Sequence, residues 1–401
     1  MMATKTPMAK KPIEKRASEW RLMLNDPWLI SLVTWLPPLL FLMIYAIFSQ
    51  GMAHNLPVGV VDLDHSTLSR TLIRYYDASP TITITGHYPS ARQGAKAMRA
   101  GEIYGLIIIS ADTQKDATLG RSPQVELFYN SQFLLIGKQI KSAILQAHTT
   151  AVAQIDTLKN LSQDAPALGQ ALAKAVPVGT QATPLFNSNS NYAQFLVSAI
   201  IPALWQICMV MATVLSMTAE LRRDGLEAWL KDRPVRALIE KMAPYSLLFW
   251  LQGILFLLTM FVVIGWPMHG HLGFLIICQL VTVIASQCAG AFIFFLSRDA
   301  ARGLGLAAAY CAPGLAFMGV TFPSTDMTFL AKIWRSLLPI SHYMDIQIAQ
   351  VNYGASPMLC LPQLHSLALF IIPGLLVCFF AIRISHKWLQ TQKYLQTRGA
   401  L

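Results

Sequence analysis

Five stretches of this 401-residue chain contain no Asp, Glu, Lys or Arg: residues 27–61, 175–219, 242–297, 303–325 and 346–382. They hold nearly every long apolar run in the sequence. A bilayer core ~30 Å thick is crossed by about 20 apolar residues of helix, so four tracts have room for one crossing each and the third has room for two. The pattern predicts an α-helical integral membrane protein with six transmembrane helices, near 28–48, 194–218, 243–266, 272–296, 303–321 and 365–384. Charged residues make up 13% of the chain and the mean hydropathy is +0.46. A soluble domain carries about 25% charged residues, so a soluble enzyme is excluded.

Basic residues orient the spans. Lys5, Lys10, Lys11, Lys15, Arg16 and Arg21 precede the first tract, and Arg222, Arg223, Lys231, Arg233, Arg236 and Lys241 separate the second span from the third. Arg298 and Arg302 lie between the fourth and fifth, and Arg383, Lys387, Lys393 and Arg398 follow the sixth. The opposite short loops hold only Lys332 and Arg335. Lys and Arg beside span ends stay cytoplasmic, so both termini are expected inside the cell. The net charge of +11 is then an orientation signal scattered over juxtamembrane segments, and no nucleic-acid partner is expected. A long polar segment precedes the first apolar run and no small-residue cleavage site closely follows it, which argues against a cleavable signal peptide.

Residues 50–193 read as an α/β extracytoplasmic domain. Strand candidates at 57–63, 81–85, 104–109 and 125–129 alternate with helix candidates at 66–76, 90–100 and 112–119. Ser90 followed by Gln93 has the spacing of a capping box. A longer helix over 131–160, an Ala/Pro-rich loop or broken helix at 162–184 and a polar run at 187–191 lead back to the membrane. The expected layout is a cytoplasmic arm with an amphipathic helix (1–27), span one (28–49), the α/β domain (50–193), spans two to six (194–385) and a cytoplasmic tail (386–401). Within the fourth part lie a cytoplasmic coupling segment at 219–242 and an outer re-entrant region at 322–364.

Several polar groups invite a functional reading. Cys208, Cys278, Cys288, Cys311 and Cys378 fall in spans and Cys360 in an outer loop, with no paired-cysteine or Cys/His spacing, so they read as small apolar residues. Asp62 and Asp64 form either a cation site or the cap of the next helix. His269 and His271 form either a polar turn or two ligands of a metal. Gln206, Gln252, Gln279 and Gln287 either line a path through the membrane or bond between helices. Glu220, Arg222, Arg223, Asp224, Gly225 and Glu227, followed by Trp229 and Leu230, describe an amphipathic helix at the membrane surface, either a solvated loop or a docking element for a cytoplasmic partner. Its acids add nothing to orientation but supply complementary pairing.

These features resemble the membrane subunit of a type-2 ATP-binding-cassette exporter with a large domain between its first two spans. The resemblance rests on five features in order. The first is an amphipathic helix at 14–25, with Trp20 and Arg21, that ends in Asp26-Pro27. The second and third are the run VVDLDHSTLSR at 60–70 and Gly101 ahead of LIII at 106–109. The last two are ELRRDGLE at 220–227, and GVTFP at 319–323 followed by WRSLLPISHY at 334–343. Leu226 stands where the family commonly has Thr. The resemblance implies a permease half driven by a separate cytoplasmic ATPase subunit that binds the ATP and Mg, with no cofactor in this chain. It also implies a second permease copy or a sibling permease, an inner membrane with a periplasm, and a periplasmic adaptor as a further partner beside the membrane lipids. Independently, no phosphate-binding Gly-x-x-x-x-Gly-Lys-Ser/Thr occurs, and the spans lack the buried Asp, Glu or Lys of ion-coupled carriers. The expected transmitters of force are Trp20 and Arg21, the 220–230 helix, and the turn containing Arg298 and Asp299. Apolar span walls favour an amphipathic or lipophilic cargo. The rival class is a receptor or assembly protein with a ligand-binding outer domain, which one or two spans would anchor as well.

Overall fold

The computed structural model describes residues 19–49, 51, 54–119, 121, 123–163, 187 and 191–399. Lys5, Lys10, Lys11, Lys15, Arg16, the first residues of the 14–25 helix, most of the Ala/Pro-rich stretch and most of the polar run at 187–191 lie outside them. The chain forms two units, Met52–Thr183 and a second made of Met1–Gly51 with Pro184–Leu401.

The second unit begins with α1 (Glu19–Asn25), α2 (Pro27–Val33) and α3 (Leu36–Phe48). Asp26-Pro27 starts α2 for two local reasons. The Asp26 carboxylate accepts from the backbone N–H groups of Trp28 and Leu29 at 3.0 and 3.1 Å, and Pro27 occupies the first helical turn, where its missing N–H costs nothing. The expected first span is not straight, since α2 and α3 meet at 52° across Thr34 and Trp35.

In the inserted unit, β1 (Leu56–Asp62), β2 (Ile82–His87), β3 (Gly105–Ile109) and β4 (Val125–Tyr129) form a sheet of order β2-β1-β3-β4, parallel except for β3 with β4. The helices are α4 (Thr67–Asp77), α5 (Ala91–Arg99), α6 (Thr113–Thr118) and α7 (Leu134–Gln163). Strands buried on both faces read as apolar runs. Val58, Val60, Ile107 and Ile109 pack with Leu72, Tyr76, Ile140 and Ile144 on one side, and Val61 and Leu106 pack with Ala97 and Ile103 on the other. Ser66 and Ser90 cap α4 and α5, each accepting from the N–H three residues on.

Tyr76, fully buried on α4, shares a 2.7 Å hydrogen bond with His148 Nδ1 on α7, and the two rings stack. Burial holds the His148 imidazole below its ordinary value of 6.5. The unfolded chain therefore binds more protons than the folded unit as the pH drops below 6.5, and stability, level above that value, falls through this window.

The remaining helices are α8 (Tyr192–Arg223), α9 (Leu226–Leu230), α10 (Pro234–Leu258), α11 (Leu272–Ser297), α12 (Ala300–Cys311), α13 (Gly314–Phe317), α14 (Phe329–Ser336), α15 (Pro339–Val351), α16 (Leu361–Ala368) and α17 (Ile371–Gly399). Among the described residues, four stretches are long and apolar enough to cross a membrane, namely Tyr192–Arg223, Pro234–Val263, Leu272–Ser297 and Pro357–Gln392, and the bent α2/α3 pair counts as a fifth when its two helices are taken as one span. The run expected as the span at 303–321 divides. Pro313 follows α12, whose 12 residues rise ~18 Å, well short of a ~30 Å core. α11 approaches α8 closely at Gly290, where a Cβ would lie 3.0 Å from the Val210 carbonyl oxygen.

Each proline inside a helix strands the carbonyl four residues earlier, and in hydrocarbon no water can repair it. At the break between α2 and α3, Pro37 and Pro38 in the first turn of α3 bring no N–H to the Val33 and Thr34 carbonyls, and Gln252 Nε2 on α10 donates to both, at 2.6 and 3.3 Å. Pro202 strands Ser198, and Gln347 Nε2 on α15 donates to it at 2.8 Å. α15, a largely buried helix of 13 residues, also starts inside the bundle, where the Gln206 side-chain oxygen accepts from Ile340 N at 2.7 Å. At these three places a glutamine on a neighbouring helix supplies the partner that the broken backbone lacks.

Two predictions test these contacts. The inserted unit, expressed alone as residues 57–182, should melt at lower temperature at pH 5 than at pH 7.5, and His148→Gln should flatten that dependence; an unchanged slope in the variant would exclude His148 as its source. Gln347→Leu in the full chain should cost about 1 kcal/mol. In a Pro202→Ala background, which restores the N–H, the same change should cost close to nothing, as read by a double-mutant cycle of unfolding in detergent.

Candidate functional site

Lys241, in the second turn of α10, is completely buried, and its ammonium lies 2.8 Å from a Glu19 carboxylate oxygen and 2.9 Å from one of Glu220. Glu220 is also buried, while Glu19 retains slight exposure. A buried ion is tolerated only when paired and hydrogen-bonded, so this triad ties α1, the last turns of α8 and the start of α10 into one rigid corner. Lys241 is thus not the solvated orientation charge that the sequence pattern suggests, and Glu220 is not on the surface. The Tyr245 side chain, one turn further along α10, is buried beside the same acids.

The amphipathic helix expected over 220–230 is two elements. α8 continues through Arg223, helped by basic residues in its last turn that complement the helix dipole. It stops at Gly225, whose φ of +77° only glycine adopts without strain. α9 then runs from Leu226 to Leu230. Its Leu226, Trp229 and Leu230 are buried against α10 and α17 rather than lying on a membrane surface, and the Ser385 hydroxyl of α17 donates to the Lys231 carbonyl. What this corner exposes is charge: Arg222, Arg223, Asp224 and Glu227 face outward, with Arg223 Nε 3.2 Å from Asp224.

The other expected coupling residues gather at the same end. Trp20 and Arg21 are exposed on α1 beside Glu19. Gly303, in the first turn of α12, lies against Val214 of α8, so the preceding turn reaches this end too. In that turn Arg298 adopts a left-handed conformation at the end of α11, and Asp299 caps α12 by accepting from Arg302 N at 2.9 Å. Both are exposed. Of the expected set, only Glu220 turns inward. The missed members are Glu19 and Lys241, whose one available signal was a lone Lys next to a charge-free tract.

Each of the four glutamines makes a hydrogen bond to another helix. Gln206, Gln279 and Gln287 are buried and bond inside the bundle. Gln206 contacts Ile340 N and Cys311 Sγ, Gln279 donates to the Gly253 carbonyl, and Gln287 accepts from the Ser246 hydroxyl. Gln252 serves the first-span bend. Asp62 likewise accepts from Asp64 N, His65 N and the Ser69 hydroxyl as a turn and cap, and Asp64 accepts from Gln114 N. His269 Nδ1 bonds the Val351 carbonyl, and His271 contributes its backbone N–H to Gln350. No metal-binding group of three or more His, Cys, Asp or Glu exists among the described residues.

Lys241→Met should destabilise the chain by about 3–5 kcal/mol by leaving Glu220 buried without its cation, and Lys241→Met/Glu220→Leu should recover part of the loss. The check is thermal unfolding in detergent; a double variant no better than the single would deny the Glu220 pairing its weight.

Comparison with protein families matches residues 27–382 to ABC-2 family transporter protein. Comparison with curated proteins and with solved structures found no significant match.

Proposed function

This chain belongs to the ABC-2 family of transporter proteins, and we propose that it is the permease subunit of an exporter that moves an amphipathic or lipophilic cargo while a separate subunit hydrolyses ATP. The family is the membrane component of transport and implies an ATPase partner. The observation that carries the coupling assignment is the gathering of Trp20, Arg21, Arg222, Arg223, Asp224, Glu227, Arg298 and Asp299, exposed, at the bundle end clamped by Lys241. A mixed-charge, rigid surface is what a force-transmitting contact requires. Electrostatic complementarity fixes its register, and the buried triad links a push on α1 or on the end of α8 to α10.

In this reading the clamped end is cytoplasmic, as the positive-inside pattern supports, and the chain sits in a bacterial inner membrane with its inserted domain in the periplasm. The partner holds ATP and Mg. The broken α12–α13 segment with its re-entrant continuation serves as a sixth passage through the bilayer. Two permeases, identical or siblings, frame the cargo path, and closure of the ATPase pair drives the clamped corners together. The inserted domain is then placed to meet a periplasmic adaptor. Exposed apolar residues on α3, α10 and α17 supply the lipid-facing and partner-facing surfaces.

Reversal of Arg222 and Arg223 to Glu sets like charges against an acidic partner surface, at a cost of several kcal/mol in such contacts. The variant should insert normally, since the other bases of that connection remain, but should lose co-purification with its ATPase subunit or cargo-stimulated hydrolysis. Normal coupling in the double variant would remove the docking assignment, and a wild type that binds no ATPase would favour a receptor.

A further inference from the structure

At the other end of the bundle, α14, α15, α16 and the turn at Ser324–Asp326 border an open cavity of about 250 Å³ lined by residues that all carry polar heads: Ser324, Lys332, Arg335, Ser336, His342, Asp345 and Gln363. Such a lining is unexpected in a chain with so few charges, and the contacts around it show what chemistry it lacks. Arg335 Nη2 donates to both oxygens of Asp345, at 2.6 and 2.5 Å, and its Nη1 donates to the Phe317 carbonyl at 3.1 Å. The single carboxylate is therefore already neutralised. Lys332 donates one hydrogen to the Thr325 carbonyl at 3.0 Å, which leaves two. The His342 ring nitrogens lie 2.8 Å from the Gln363 side-chain amide and 3.1 Å from the Ser336 carbonyl; a neutral imidazole that donates to Ser336 accepts one amide hydrogen from Gln363, which leaves Gln363 the other. The unused capacity of the cavity is in donors, with one uncompensated ammonium.

α14 sets the surroundings. Lys332, Arg335 and Ser336 occupy one face and line the cavity, while Phe329, Leu330, Ile333 and Leu337 cover the other and are exposed. A short helix of this kind rests with its apolar face among acyl chains and its polar face at headgroup depth.

We propose that this cavity binds the oxyanion headgroup, phosphate or carboxylate, of an amphiphile from the surrounding leaflet. Lys332 and the Gln363 amide supply the charge-assisted and neutral hydrogen bonds to it, and Arg335 with Asp345 holds the wall in place. The assignment goes beyond the transport reading and is tested on this chain alone, so failure of one leaves the other standing.

The experiment measures equilibrium binding to the purified full-length protein in a neutral detergent, with three probes: dioctanoyl phosphatidic acid, dioctanoylglycerol and inorganic phosphate. Phosphatidic acid should bind and dioctanoylglycerol should not. Lys332→Gln should weaken the anion about tenfold, the scale of one lost charge-assisted bond, and Lys332→Arg should retain it. Inorganic phosphate binding more weakly than phosphatidic acid assigns the site to an amphiphile, and equal affinity assigns it to a free oxyanion. Equal binding of phosphatidic acid and dioctanoylglycerol, binding unaltered in Lys332→Gln, or no binding of either anion would overturn the proposal. Because Lys332 is exposed, the variant is expected to fold, and an unchanged melting temperature without ligand verifies this.

Discussion

Backbone N–H and C=O groups that sit where water cannot reach must find partners inside the protein, and much of this bundle is arranged around that requirement. The first apolar tract contains Pro37-Pro38 and the second contains Pro202, so neither helix can satisfy its own carbonyls. Gln252 and Gln347 do so from α10 and α15, and Gln206 closes the reverse gap by accepting from the N-terminus of α15. These bonds tie the bent first span to α10, and α15 to α8 at two levels.

A second constraint acts on charge. Lys241 can be buried only because Glu19 and Glu220 reach it from two other helices. The pairing makes little net contribution to stability relative to an apolar corner, but any loss of a partner is severe, so it fixes the arrangement rather than strengthening it. Beside it, the short α9 inserts Leu226, Trp229 and Leu230 into the protein's own interior and leaves charges on the outside. The corner is therefore stiff within and polar without. At the other end, Arg335 and Asp345 join α14 to α15 in the same manner, but beside a cavity with donors to spare.

The inserted unit follows soluble-protein rules. Its strands were legible within a residue or two because both faces of the sheet are covered, which makes β1 and β3 continuous apolar runs, and because Ser66 and Ser90 mark helix starts by a local bond. The long helices were legible for an equally simple reason, the absence of charge over spanning length. The fifth expected span was not, since composition cannot distinguish 303–321 as one helix from a helix stopped at Pro313. The 220–230 segment differs in geometry for a similar reason, being two helices instead of one. Its apolar residues have surface-helix spacing, yet the backbone turns at Gly225 and places them in the core.

What the sequence determined by itself is what depends on short-range chemistry and on solvent: a membrane bundle with a separate α/β insert, the cap at Asp26-Pro27, and the exposure of charged residues such as Arg222 and Arg298. Only the tertiary structure decided which polar groups face inward. Gln206, Gln252, Gln279 and Gln287 have the same composition-level appearance whether they line a path or mend a neighbouring helix, and Glu19 lies far along the chain from Lys241. The physical reason is that a buried polar side chain is specified by the unsatisfied group it meets, and that group belongs to a different helix, placed by packing rather than by spacing in the chain.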